Sequence, residues 1–220
     1  MDFIKWFGHA SFSFTDRKSG NKVYYVDPYE LSGRELEPAD LVFITHAHYD
    51  HFSPEDLDEV MHEETSVIAP PEILMQIDRG DSLKQGVMPN NPYDVKGFKF
   101  STIPAYNIKP ERLKFHPREN NWVGYIFEIN GQKVYHAGDT DFIPEMKSLA
   151  QLNLDYALLP IGGKFTMDLE EAIEAANAIG AKTTIPMHYR SLLGTNYKEA
   201  EERFKSGVIN STAIILEEVK

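Results

Sequence analysis

Cysteine is absent from the 220-residue chain. That excludes a disulfide framework and any thiolate metal site, so a transition metal has only imidazole nitrogen and carboxylate oxygen to bind. Eight histidines are present for the purpose. Basic residues are scarce: 22 Lys and Arg stand against 34 Asp and Glu, for a net charge of −12. A broad nucleic-acid footprint needs the opposite balance, which argues against nucleic acid as a partner. An anionic small-molecule substrate stays open, because local cations such as Lys109, Arg112, Lys164 or Arg190 beside a metal can outweigh the overall field. No stretch approaches the roughly 18 apolar residues of a membrane span, so no membrane partner is expected. The opening MDFIKWFGHASFSF carries charges and lacks a signal-peptide apolar core, and the expected address is cytoplasmic. A G-x-S-x-G nucleophile elbow is missing too, as are repeats, low-complexity segments and linkers.

The composition that remains, 42% hydrophobic and 25% charged, is that of a soluble globular protein. A chain of this length buries a sizeable core unaided, and residues 1–220 are expected to form one domain, with a homo-oligomer possible. Apolar runs punctuated by turn residues predict strands over 3–7, 11–15, 22–26, 41–45, 66–69, 99–103, 123–129, 133–136, 156–160, 183–187 and 213–216. Asn130-Gly131 is a type I′ hairpin signal. Ser53-Pro54-Glu55-Asp56 opens a helix, with serine as cap, proline at the first helical position and acids in the first turn. A polar helix is expected to carry His62, a short helix to start at Pro71, and longer ones to cover 168–179, with Gly180 at its end, and 198–206. Mixed strands with interspersed helices point to two packed sheets with helices outside, an α+β arrangement.

Chemistry concentrates in His46-Ala47-His48-Tyr49-Asp50-His51, three histidines and an aspartate in six positions. The run follows a buried strand and precedes a capped helix, so it lies on a loop where a sheet delivers side chains to a common site. His46 and His48, two apart, face the same way while the chain is extended. Asp50 and His51 fall on the turn, in reach of a second position about 3.5–4 Å away, the usual separation of paired metals. Solvated loop histidines are the plain alternative, but histidine and carboxylate together suit divalent metals. Asp139, in His136-Ala137-Gly138-Asp139-Thr140, and His188, in Ile185-Pro186-Met187-His188-Tyr189, also sit at strand ends. In isolation they would read as a Gly-Asp turn and a packed core histidine.

Taken together, HAHYDH, the later Gly138-Asp139-Thr140 and Pro186-Met187-His188-Tyr189 resemble the metallo-β-lactamase superfamily. Trp6-Phe7-Gly8-His9-Ala10, Tyr135 to Thr140 and Leu159-Pro160-Ile161-Gly162-Gly163 are similar to its small stand-alone hydrolases of the ascorbate-6-phosphate lactonase kind. The resemblance implies a four-layer αβ/βα sandwich with metal at one edge of two mixed sheets. It implies that His46 and His48 bind one ion, Asp50 and His51 the other, that Asp139 bridges, and that His188 completes the second site. A third histidine for the first site is usual between the two motifs. Where relatives often show it, this chain has Ala105-Tyr106-Asn107, and His116 in Phe115-His116-Pro117 is the replacement. His9 and Asp27, at strand ends near the amino terminus, are candidates to orient the metal-bound groups.

The expected chemistry is hydrolysis. Two divalent ions, zinc before manganese or iron, lower the pKa of a bridging water from 15.7 to about 7. Asp50 orients that nucleophile or relays its proton, and Tyr106, Tyr189 or Lys164 stabilises charge on the substrate. The substrate is a small ester-type molecule, either a lactone or a phosphodiester. Two other readings remain: a non-catalytic metal-binding scaffold with a degraded first site, which Tyr106 in place of histidine would favour, and a nuclease, which the acidic charge disfavours.

Overall fold

The computed structural model describes residues 2–220. The chain divides into two compact units, one of residues 2–88 with 217–220 and the other of residues 89–216.

The first unit is built on a six-stranded mixed sheet of β1 (Ile4–Gly8), β2 (Ser11–Asp16), β3 (Lys22–Val26), β4 (Leu41–Phe43), β5 (Ser66–Ala69) and β6 (Lys84–Gly86), paired in chain order. β1 to β3 are antiparallel, and β3 to β6 run parallel. The buried run Leu41-Val42-Phe43 fits a central parallel strand covered on both faces. α1 (Pro54–Val60) starts as its sequence requires: Ser53 accepts a hydrogen bond from the Asp56 amide at 3.3 Å, and Pro54 takes the first helical position. α2 (Pro71–Leu74) packs on β5 and β6. Val23, Tyr25, Val42, Ile44, Leu57, Val60, Val67 and Ile73 form the core of this unit.

The second unit holds a seven-stranded sheet of β7 (Pro92–Val95), β8 (Phe98–Pro104), β9 (Val123–Ile129), β10 (Gln132–His136), β11 (Tyr156–Pro160), β12 (Thr183–Met187) and β13 (Thr212–Ala213), again in chain order across the sheet. β7 to β10 are antiparallel and β10 to β13 parallel. The β9–β10 hairpin turns at Asn130 and Gly131 with φ of 56° and 79°, the double positive φ of a type I′ turn. α3 (Leu169–Ile179) packs on β11 with Ala172, Ala175, Ala176 and Ile179 buried, an apolar stripe at helical spacing. Its cap is Asp168, which accepts from the Glu171 amide at 2.9 Å. α4 (Arg190–Leu193) and α5 (Tyr197–Gly207) follow, the latter against α3.

Three expectations need correction. β4 stops at Phe43, so Thr45 belongs to the loop that follows it. α1 ends at Val60, and His62 lies in a turn, where its amide donates to Thr65 Oγ1 at 2.9 Å. The final strand is two residues, Thr212–Ala213, although Ile214 still donates to the Thr184 carbonyl at 2.9 Å. β6 and β7 were not expected, because their partly exposed Lys84-Gln85-Gly86 and Pro92-Tyr93-Asp94-Val95 carry no apolar run. Among the described residues no helix is long and apolar enough to cross a membrane.

Candidate metal centre

In each sheet the parallel strands deliver their carboxyl ends to the chemistry-bearing residues, the usual placement of sites on such sheets. In the first unit β3 ends at Val26, one residue before Asp27, and β4 is followed by Thr45, His46, His48, Asp50 and His51. In the second, β10 leads to Asp139 and β12 to His188. Three of the candidate residues hold left-handed backbone: His9 at φ 48°, Asp27 at 48° and His188 at 57°. Such conformations in non-glycine residues persist only where surrounding contacts enforce them, and they cluster at functional sites.

The first unit's contacts settle which ring nitrogens carry protons. Asp27 is fully buried and accepts three hydrogen bonds. The Thr45 amide donates to its Oδ1 at 2.8 Å, and Thr45 Oγ1 and His51 Nδ1 each donate to Oδ2 at 2.7 Å. A threonine hydroxyl has one proton. With that proton on Asp27, Thr45 Oγ1 accepts from His46 Nδ1 at 2.9 Å. One carboxylate thereby places the Nδ1 protons of both His46 and His51 and leaves both Nε2 atoms as lone-pair donors, the arrangement a metal-binding imidazole needs. His46 Nε2 lies 3.0 Å from His48 Nδ1. His9 Nε2 meets Asp50 Oδ2 at 2.9 Å, and the ligand-type atoms of His9, Asp50 and His51 lie within 4.8 Å of one another.

In the second unit two imidazoles converge on one carboxylate oxygen. Asp139 Oδ2 is 3.3 Å from His116 Nε2 and 3.1 Å from His188 Nε2, with all three residues buried. His116 Nδ1 donates to Asn107 Oδ1 at 2.8 Å. Gly162 lets the chain after β11 pass close to His188: a Cβ there would stand 2.3 Å from the His188 carbonyl oxygen.

The donor set fits divalent metal ions. Ligands bound at about 2.0–2.1 Å in a tetrahedron are separated by about 3.3–3.4 Å, and the pairs here stand 3.0, 3.3 and 3.1 Å apart. Nitrogen and carboxylate oxygen without thiolate suits zinc, manganese or iron alike.

The other candidates are engaged elsewhere. Tyr106 donates to Glu145 at 3.0 Å, and the Arg118 guanidinium lies 4.9 Å over its ring. Burial first, then the Glu145 carboxylate, raises the Tyr106 pKa. Tyr189 donates to Glu201, and burial with that carboxylate raises its pKa as well. Lys109 and Arg112 are paired with Glu171, and Arg190 with Glu201. Lys164 is exposed, with its nitrogen 4.9 Å over the Phe165 ring.

Comparison with known proteins agrees with this chemistry. The family model described as "Beta-lactamase superfamily domain" matches residues 3–188. The chain belongs to the metallo-β-lactamase superfamily. Within it, a UPF0173 metal-dependent hydrolase of Thermococcus onnurineus is 33% identical, over 86% of this chain and 84% of its own. Its counterpart in Thermoplasma acidophilum is 31% identical, over 97% of this chain and 95% of its own. A crystallised metal-dependent hydrolase from Parabacteroides distasonis superposes with a TM-score of 0.82 at 31% identity, covering 99% of this chain and 93% of its own. This superfamily member is a metal-dependent hydrolase with the expected fold, two mixed sheets flanked by helices.

Sequence reasoning did not single out Thr45 or Asn107, which contact the candidate ligands His46 and His116, or Asp141, which contacts Asn107. Thr45 carried a signal, being the hydroxyl residue directly before the first ligand-type histidine. Asn107 was visible only as the neighbour of Tyr106 in the segment where a histidine was absent, and Asp141 had no signal beyond standing two residues after Asp139.

Proposed function

We propose that this protein hydrolyses an ester-type bond of a small, anionic substrate, a lactone or a phosphodiester, in the manner its resemblance to lactonase-type members of the superfamily suggests. In this reading residues 1–220 act as one cytoplasmic hydrolase domain and two divalent ions, zinc first, are its cofactors. His46, His48, Asp50 and His51 of the first unit and His116, Asp139 and His188 of the second would supply the ligands. The observation that carries the proposal is the tautomer control by Asp27: a single buried carboxylate places the protons of His46 and His51 on Nδ1. A merely structural histidine cluster has no need of that arrangement.

When bound, the ions would supply hydroxide from water at neutral pH and polarise the scissile group. Asp50 orients the nucleophilic water and accepts its proton, while His9 Nε2, 2.9 Å from Asp50 Oδ2, holds the carboxylate in place. Lys164, exposed and without a carboxylate in contact among the described ion pairs, is the cation assigned to the substrate's negative charge.

The test is turnover of activated phosphodiesters and of lactones by protein reloaded with zinc, manganese or iron. Hydrolysis of one class, lost in His48→Ala and in Asp50→Ala, is the expected result. Metal-loaded protein that turns over neither class would remove the ester assignment.

A further inference from the structure

The structure assigns Asn107 as the positioning residue for His116, acting through a buried chain that runs from Arg112 through Asp141. The assignment rests on the reading of His116 as a metal ligand.

Asn107 Nδ2 donates to Asp141 Oδ1 at 2.9 Å and to the Phe165 carbonyl at 3.0 Å, which occupies both amide protons. Both partners are acceptors only. The opposite amide orientation would set the Asn107 oxygen against a carboxylate and a carbonyl, so it is excluded by chemistry rather than by choice of assignment. Oδ1 must therefore face His116, and His116 Nδ1, 2.8 Å away, must carry the proton. The Nε2 lone pair is then presented beside Asp139 Oδ2 at 3.3 Å. Two such atoms repel one another at that distance unless a proton or a metal ion lies between them.

Asp141 holds the amide in turn. It accepts from the Ile108 and Lys109 amides at 2.8 and 2.9 Å and pairs with Arg112 Nε at 3.0 Å. Arg112 also donates to the Thr166 carbonyl and pairs with Glu171 at 2.5 Å. The backbone closes the unit: the Asn107 amide donates to the His116 carbonyl at 2.8 Å. Asn107, Arg112, His116 and Asp141 are all nearly or fully buried. Asn107, beside Tyr106 in the segment where relatives often carry a histidine, thus does not supply that ligand. It prepares another one, nine positions later.

The experiment is long-range 1H–15N NMR on histidine-labelled, chelated protein, with metal affinity measured afterwards on the same samples. Wild-type His116 is expected to carry its proton on Nδ1. Asn107→Leu removes the acceptor, so the proton should shift toward Nε2 and the affinity for one of two metal equivalents should fall about 10–100-fold. Asn107→Asp keeps an acceptor facing Nδ1 and loses the donors to Asp141 and Phe165, so it should keep the tautomer while losing stability. A wild-type proton on Nε2 overturns the assignment, as does an Asn107→Leu protein with unchanged tautomer and affinity. Should Asn107→Leu not fold, the wild-type and Asn107→Asp tautomers decide the matter. Failure of the ligand reading shows separately, as a His116→Ala protein that still binds two equivalents.

Discussion

Replacing Asp27 by alanine puts the most weight on a single side chain. The substitution removes the acceptor of three buried hydrogen bonds: from the Thr45 amide at 2.8 Å, and from the Thr45 hydroxyl and His51 Nδ1 at 2.7 Å each. A buried donor left unsatisfied costs about 1–3 kcal/mol. Three of them set a loss of roughly 3–5 kcal/mol, once the relief of no longer burying a carboxylate is allowed for. Alanine also tolerates the left-handed backbone at this position, φ 48°, less well than aspartate does. A domain of this kind has about 5–15 kcal/mol of stability in total, so the variant should fold but unfold at markedly lower denaturant. Thr45→Val removes the hydroxyl that donates to Asp27 and accepts from His46, and should cost about 1–3 kcal/mol. Both variants should weaken metal binding about 10–100-fold, because the Nδ1 protons lose their anchor. The assay is equilibrium urea unfolding of chelated protein, followed by metal titration. An Asp27→Ala protein within 1 kcal/mol of wild type, with unchanged metal affinity, would refute the reasoning.

Three further outcomes follow from the same contacts. Gly162→Ala drives a Cβ to 2.3 Å from the His188 carbonyl oxygen and 2.6 Å from Leu192 Cδ1, so it should displace His188. Metal titration should then show weakened binding of one equivalent, while Gly163→Ala, whose new contacts are no closer than 3.5 Å, should lose stability through its positive φ rather than lose metal. Burial opposes ionisation of Glu171, but hydrogen bonds from Lys109, the Phe142 amide and Arg112 outweigh it and hold its pKa below the usual 4.5. A depressed folded-state pKa contributes stability above the unfolded-state value and loses it as pH falls through the folded-state value. As pH falls from the unfolded-state to the folded-state value, stability followed by circular dichroism should accordingly drop more steeply in wild type than in Glu171→Gln. Stripping the metal with a chelator should lower stability by about 4 kcal/mol per ion held at 1,000 times its dissociation constant. A melting temperature indifferent to chelator would contradict metal binding in the folded state.

Strands bounded by strong turn signals could be read from sequence to the residue. Val123–Ile129 and Tyr156–Pro160 are such cases, since their apolar runs stop abruptly at Asn130-Gly131 and before Ile161-Gly162-Gly163. Lys84–Gly86 and Pro92–Val95 escaped because β6 and β7 lie at the ends of their sheets, where half-exposed residues blunt the hydrophobic pattern. The ligand-type histidines were legible because few other roles concentrate imidazole and carboxylate so tightly. The residues that set their protonation were not. Thr45 and Asn107 act through two or three side-chain hydrogen bonds, and a threonine or asparagine in a loop has too many ordinary uses for spacing to single it out. The left-handed backbone of His9, Asp27 and His188 was equally silent, because it is imposed by contacts distant in sequence.

The central claim is that these histidines and aspartates hold two divalent ions, and elemental analysis of chelated, reloaded and desalted protein tests it most directly. Two equivalents in wild type, falling to one or fewer in Asp139→Ala, is the predicted result. Protein that retains no divalent metal, or an Asp139→Ala variant that keeps both equivalents, would contradict it.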